Sequence, residues 1–317
     1  MIELHLHLDG SLRVETALDL AKSQNITLPT EDLKELRNLM EVSEECQTLH
    51  ECLKRFDLPI MLLQTEMAVE RVSFELVEDL HKLGVTYAEI RFAPQFSTAK
   101  GLTQDQVVAA AINGVKRGME KYPAIRCGLI LCCMRGEGIE DKNLETVEVA
   151  RKYLGDVVCA VDLAGAESLF PTKVFEPVFD KVRAYGIPAT IHAGEARGEV
   201  PGPESMRKAL SYGAKRIGHG VLAIEDESLI KELVEKDITL EVCVTSNYHT
   251  KLVPSLKEHP IKKLFDAGVK VTFNSDNMTV SNTNIHKEID ILKTQLGFSD
   301  EEISKMQQYA REAAFIK

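Results

Sequence analysis

The hydrophobic and polar positions of this chain follow two alternating periods. Short apolar or β-branched runs recur, and each is followed by a longer stretch whose apolar residues return at helical spacing, the pattern of repeated βα units. About eight such runs predict strands. They are ELHLH from Glu3, VTYAEIRF ending at Phe92, RCGLILCCM ending at Met134, VVCAVDL ending at Leu163, PATIH ending at His192, RIGH ending at His219, ITLEVCV ending at Val244 and VKVTFNSD ending at Asp276. The segments between them read as helices: VVAAAINGVKRGMEKY keeps helical spacing up to Pro123, and EPVFDKVRAYG finishes on a helix-terminating glycine. This alternation predicts an α/β fold, a closed (β/α)8 TIM barrel, with residues 1–317 as a single domain.

One connection departs from the pattern. From about Ser11 to Leu83, between strand 1 and strand 2, the chain is too long for one crossover helix and predicts a helical insertion. Within it, LHECLKRFDLPIMLLQTE sets Leu53, Phe56, Leu58, Met61 and Leu62 among charges. Two placements fit equally: a lid over the barrel mouth, or packing along the barrel side. No internal repeat, low-complexity tract or Ser/Pro-rich linker marks a domain boundary.

Composition narrows the class. Hydrophobic residues at 44% and charged residues at 27% suit a soluble globular chain and exclude a disordered or fibrous one. The net charge of -11 opposes non-specific binding to phosphate backbones, so no nucleic acid partner is expected. No stretch approaches the roughly 18 apolar residues of a membrane span, and MIELHLHLDG does not read as a secretory leader. Seven scattered cysteines without a C-x-x-C pair suggest neither a disulfide framework nor a thiolate metal site. The expectation is a cytoplasmic protein with no membrane partner; the oligomeric state is left open.

Barrel enzymes collect reacting groups at the C-terminal ends of their strands. His5 and His7 are two apart on a strand and share one face, so both imidazoles can point into the barrel mouth. His192, His219 and Asp276 close three other predicted strands, and imidazole with carboxylate is a common ligand set for catalytic zinc. A lone His-x-His is more often structural, but three further polar groups at other strand ends would each be costly to bury alone. Whether His219 is a ligand or a neighbour of the ligands is not separable by spacing. Glu195, three residues after His192, suits proton transfer; the competing reading is a surface glutamate opening the next helix. His50, His81, His249, His259 and His286 are read as solvated and without a role. The absence of G-x-S-x-G, a phosphate loop, G-x-G-x-x-G, H-E-x-x-H and the H-x-E with P-C-x-x-C pattern leaves activated water as the nucleophile.

The ordered set ELHLHLDGSL, VDLAGAE, IHAGE, RIGHGV, TSN and FNSDNMTVSNT resembles the adenosine deaminase family, metal-dependent amidohydrolase-like barrels, over nearly the whole chain. The resemblance implies one Zn2+ per chain on His5, His7, His192 and Asp276. It implies hydrolysis of adenosine, and of 2′-deoxyadenosine, to inosine or its deoxy form plus ammonia, by metal-activated hydroxide attack on purine C6. Protonated Glu195 would hand its proton to N1, His219 would orient the hydroxide and stabilise charge, and Asp276 would also accept the water proton. The small-molecule purine nucleoside would meet Asp9 at the ribose 5′-hydroxyl with His7 nearby, the Gly165 backbone at N3, and Asn277 at N7.

Two departures from the family pattern stand out. Asn277 replaces a second aspartate, and its amide can donate without needing a protonated carboxyl. Ala166 replaces an acid in D-L-A-G-D-E. The competing readings are a deaminase of adenine or another 6-aminopurine, and a non-catalytic metal-binding paralogue. Asp9 argues against a nucleotide, because a carboxylate repels a phosphate; Glu195 and His219 argue against loss of turnover. REAAF near the C-terminus bears on barrel closure more than on chemistry.

Overall fold

The computed structural model describes residues 1–43 and 46–316; Glu44, Glu45 and Lys317 lie outside the described residues. Continuous apolar runs become parallel strands because both faces of each are covered. The strands are β1 (Ile2–His7), β2 (Tyr87–Phe92), β3 (Arg126–Met134), β4 (Val158–Ala164), β5 (Thr190–Ala193), β6 (Arg216–His219), β7 (Thr239–Val242) and β8 (Lys270–Phe273). Neighbours pair in parallel as β1-β2-β3-β4 and β5-β6-β7-β8. Single bridges, Val161 to Ala189 and Leu6 to Asp276, join the two halves into a ring. The (β/α)8 barrel is thus present, closed at two seams by bridges and not by full ladders.

Two predicted strand ends shift. β7 stops at Val242, because Cys243 already caps the helix Val244–His249. β8 stops at Phe273, so Asp276 lies beyond the strand. There the backbone turns with φ +57 at Asp276 and latches onto β1: the Asp276 N–H donates to the His5 carbonyl at 3.0 Å, and the His7 N–H donates to the Asp276 carbonyl at 2.6 Å.

The long first connection is helical, as Val14–Ser23, Leu33–Met40, Leu49–Leu53, Asp57–Leu62 and Glu66–Lys82. Thr65 and Asp32 cap two of these by accepting first-turn N–H groups, which places helix starts where the chain must turn. Leu20, Leu36 and Met40 are fully buried where the first two helices meet, each worth about 1.5–3 kcal/mol of burial. Glu66–Lys82 packs along Gln104–Lys121 on the barrel side, whereas Leu49, Leu53, Phe56 and Ile60 line the cavity at the mouth. One part of the insertion therefore packs along the barrel side and another lines the barrel mouth. Among the described residues, no helix is long and apolar enough to cross a membrane.

Barrel interiors are usually filled by branched aliphatic residues. This one is charged. Arg91 on β2 donates to Asp162 on β4 and to Glu241 on β7, both at 2.8 Å, and Arg216 on β6 pairs with Glu89 on β2 and with Glu241. β2 neighbours neither β6 nor β7, so these side chains meet across the barrel axis. All five are buried. Below them Phe315 lies under the Arg216 guanidinium at 3.8 Å, and its N–H donates to Glu89 at 2.6 Å. REAAF thus ends a helix and plugs the barrel bottom.

Candidate active site

At the opposite, C-terminal end of the strands lies a cavity of about 460 Å³. His7, His192, Glu195 and Asp276 line it, while His5 and His219 sit beneath with no exposure. Ligand-type atoms of His5, His7 and His192 lie within 4.8 Å of one another, as do those of His5, His219, Cys243 and Asp276. The groups join through Asp276 Oδ1, 3.5 Å from His5 Nε2 and 3.4 Å from His7 Nε2. The structure therefore gathers the four residues expected to bind metal at one end of the barrel, in two groups that share His5. Gly218 makes the convergence possible, since a Cβ there would stand 3.1 Å from the His5 ring and 3.2 Å from His192.

The imidazoles are oriented from behind. His5 Nδ1 faces Glu241 at 2.9 Å and His192 Nδ1 faces Asp162 at 2.9 Å, so each carboxylate takes an N–H and leaves the Nε2 lone pair turned to the common point. Arg91 bridges the two carboxylates. Burial alone would raise the pKa of Asp162 and of Glu241, but His192 and Arg91 for the first, and Arg91 and Arg216 for the second, hold both well below the usual carboxylate range. His5 Nε2 is buried and has no hydrogen-bond partner among the described residues. An oriented, orphaned imidazole nitrogen beside two more imidazoles and a carboxylate fits a divalent cation. Cys243 fits less well: burial pushes its thiol up, keeping it neutral, and the thiol donates to the Glu241 carbonyl.

The protonation states diverge over a few ångströms. Burial would raise Asp276, but the adjacent His5 imidazole and the His219 and His7 rings hold it well below the usual carboxylate range. Burial dominates at Glu195 and, with the Asp276 and Glu167 charges, lifts it to about 8 against the pull of His192. Burial also lowers His7 and His219 well below an ordinary histidine. One carboxylate is therefore ionised and one protonated at neutral pH, the separation expected of an acid and a base sharing a site.

Glu195 is only 5% exposed and belongs to the loop after β5, not to the next helix, Gly202–Ser211. Glu167 holds that loop: its carboxylate accepts the N–H groups of Gly194, Glu195 and Ala196 at 2.9, 2.9 and 3.0 Å. His219 takes φ +60, a strained conformation for a residue with a side chain, and carries Nε2 to 3.4 Å from Glu195. Asp9, Gly165 and Asn277 all line the cavity. Burial raises Asp9 to about 6. Asn277 packs so tightly on Gly10 that a Cβ at Gly10 would stand 1.9 Å from its Oδ1.

Among the histidines read as solvated, His259 is buried, and His249 and His81 are half-buried. His259 is 3% exposed and burial lowers it to about 3. His249 is half-buried in the cavity wall. Loop position carried no hint of this, because His259 meets Asn247 on the helix Val244–His249 only in the folded chain. Glu167, Asp162, Glu241 and Arg91 were also passed over. For Arg91 and Glu241 a signal was available in polar residues at period two inside apolar runs, as in E-x-R and T-x-E.

A family model described as adenosine deaminase matches residues 1–317. The chain is 43% identical to the adenosine deaminase of Haemophilus ducreyi, covering 100% of this chain and 92% of that one. It is 44% identical to the adenosine deaminase of Clostridium kluyveri, covering 99% and 88%. Among solved structures, it resembles the adenine deaminase of Arthrobacter aurescens with a TM-score of 0.88 at 28% identity, covering 100% and 94%. It also resembles the N6-mAMP deaminase of Arabidopsis, with a TM-score of 0.84 at 28% identity, covering 100% and 93%. Full-length identity above 40%, the barrel and the convergent polar site agree: the chain belongs to the adenosine deaminase family.

Proposed function

We propose that this chain hydrolytically deaminates adenosine, and 2′-deoxyadenosine, to the corresponding inosine and ammonia. The observation that carries the reading is the pair of carboxyls on the cavity floor, Glu195 raised to about 8 and Asp276 held ionised, beside three convergent imidazoles. His5, His7, His192 and Asp276 would hold one divalent cation, and the nitrogen-rich donor set favours zinc. When bound, the cation supplies a Lewis acid that makes a water nucleophilic at neutral pH.

The protein's own groups carry the remaining work. Protonated Glu195 donates to ring nitrogen N1, which drains electron density from C6 and opens it to attack. Asp276, ionised, accepts the proton of the attacking water. His219 steadies the charge that builds on the oxygen. Asp9 receives the ribose 5′-hydroxyl, with His7 nearby, the Gly165 backbone faces N3, and Asn277 faces N7. The Asp9 carboxylate at the cavity wall favours a nucleoside over a nucleotide. Seven buried thiols support a reducing compartment, and the cytoplasm is the proposed one.

An ultraviolet assay with adenosine, 2′-deoxyadenosine, adenine and AMP, before and after chelation, tests the whole reading. Adenosine is expected to give the highest kcat/KM, lost on chelation and restored by zinc. Preference for adenine or AMP, or activity that survives complete metal removal, would overturn it.

A further inference from the structure

Beneath His219 runs a buried chain of hydrogen bonds whose direction is set by a group that cannot reverse. The backbone N–H of Ile261 donates to His259 Nδ1 at 3.2 Å. That nitrogen must therefore present a lone pair, and the single proton of a neutral imidazole sits on Nε2. His259 Nε2 faces Asn247 Oδ1 at 3.2 Å, so the imidazole donates and the amide oxygen accepts. The other end of the amide is then the donor: Asn247 Nδ2 faces His219 Nδ1 at 3.1 Å, where it needs a lone pair. The proton of His219 is left on Nε2. That atom is buried, has no hydrogen-bond partner among the described residues, and points to the space shared by Glu195 and Asp276.

His259, Asn247 and His219 are exposed by 3%, 0% and 0%, so water cannot repair a mismatch in the chain. Reversing any link would set two donors or two acceptors face to face, at about 1–3 kcal/mol for each group left unsatisfied. We propose that Asn247 and His259 are positioning residues that lock His219 in its Nε2–H tautomer. His219 then meets the reacting atoms as a hydrogen-bond donor, not as a base, and the water proton has to go to Asp276. The kinetic half of this inference rests on the deaminase reading; the tautomer itself does not.

Long-range proton–nitrogen correlation on the 15N-histidine-labelled, zinc-loaded enzyme reads the tautomer directly, with His219 assigned from the signals missing in His219→Ala. A protonated Nε2 and an unprotonated Nδ1 are expected. A protonated Nδ1 in the wild type would overturn the proposal whatever the substrate turns out to be. Asn247→Asp presents an acceptor at both ends of the link and should place a proton on His219 Nδ1. It should lower kcat by roughly 30-fold or more with KM within about three-fold. Unchanged kcat in a folded, zinc-loaded Asn247→Asp would sink the idea. If that variant does not fold, His259→Phe and His259→Gln decide: kcat should fall in the first and recover in the second, whose amide can still donate to Asn247. Equal kcat in both would count against the chain.

Discussion

At the scale of single residues, burial sets the protonation state of Glu195, and its neighbours set that of Asp276. The free acid at Glu195 exists below its raised value of about 8 and is lost above it. Because the proton donor is the acid form, kcat/KM for adenosine should hold level through neutral pH and fall about tenfold per unit well above 8. Glu195→Gln should keep its metal and lose about 10³-fold in kcat; near-normal turnover in a metal-replete variant would remove the assigned role. Gly10→Ala makes a sharper test of substrate fit. Its methyl would displace Asn277 from the cavity wall, so KM should rise about tenfold or more while metal content stays at the wild-type level.

The candidate histidines were legible from type and spacing, since His-x-His and a histidine closing a strand need only the two-residue period to be placed, but which of them would hold a cation was not. Glu167 and His259 were not. Each acts through a partner more than ten positions away, Glu167 on the Gly194–Ala196 amides and His259 on Asn247. Nothing in either local sequence marks such a partner.

At the scale of elements, the insertion divides its labour by where its apolar residues face. Glu66–Lys82 is held along its length by the barrel-side helix Gln104–Lys121. Leu49–Leu53 and Asp57–Leu62 are short, and Leu49, Leu53, Phe56 and Ile60 turn toward the cavity. Short helices at a cavity mouth can open locally at low free-energy cost. Hydrogen exchange over 46–62 should slow when a purine nucleoside inhibitor binds, while exchange over 66–82 stays unchanged. Equal exchange in both states over 46–62 would exclude a lid. The eighth strand teaches a related lesson. Its apolar run predicted a strand up to Asp276, but Asp276 leaves β8 to pair its backbone with His5 and His7. A left-handed turn at a residue with a side chain is not visible in a hydrophobicity pattern.

At the scale of the whole molecule, the two ends of the barrel separate chemistry from stability. Phe315→Ala would remove the ring under Arg216 and open the bottom plug, far from the cavity. It should cost roughly 2 kcal/mol in denaturant unfolding and leave kcat within about two-fold. A large loss of kcat in the folded variant would show that the charged interior couples the bottom to the site.

The order of apolar runs and helical stretches determined the barrel by itself, because burial on both faces is a property of each segment and needs no partner to be recognised. Residue type at the strand ends likewise determined which side chains could meet a cation. Only the tertiary structure decided what stands behind them: the Arg91, Asp162 and Glu241 brace, the Glu167 clamp and the Asn247–His259 chain. The physical reason is that a hydrogen bond reaches about 3 Å, and which groups come within that reach is settled by barrel closure, after every local preference along the chain has been met.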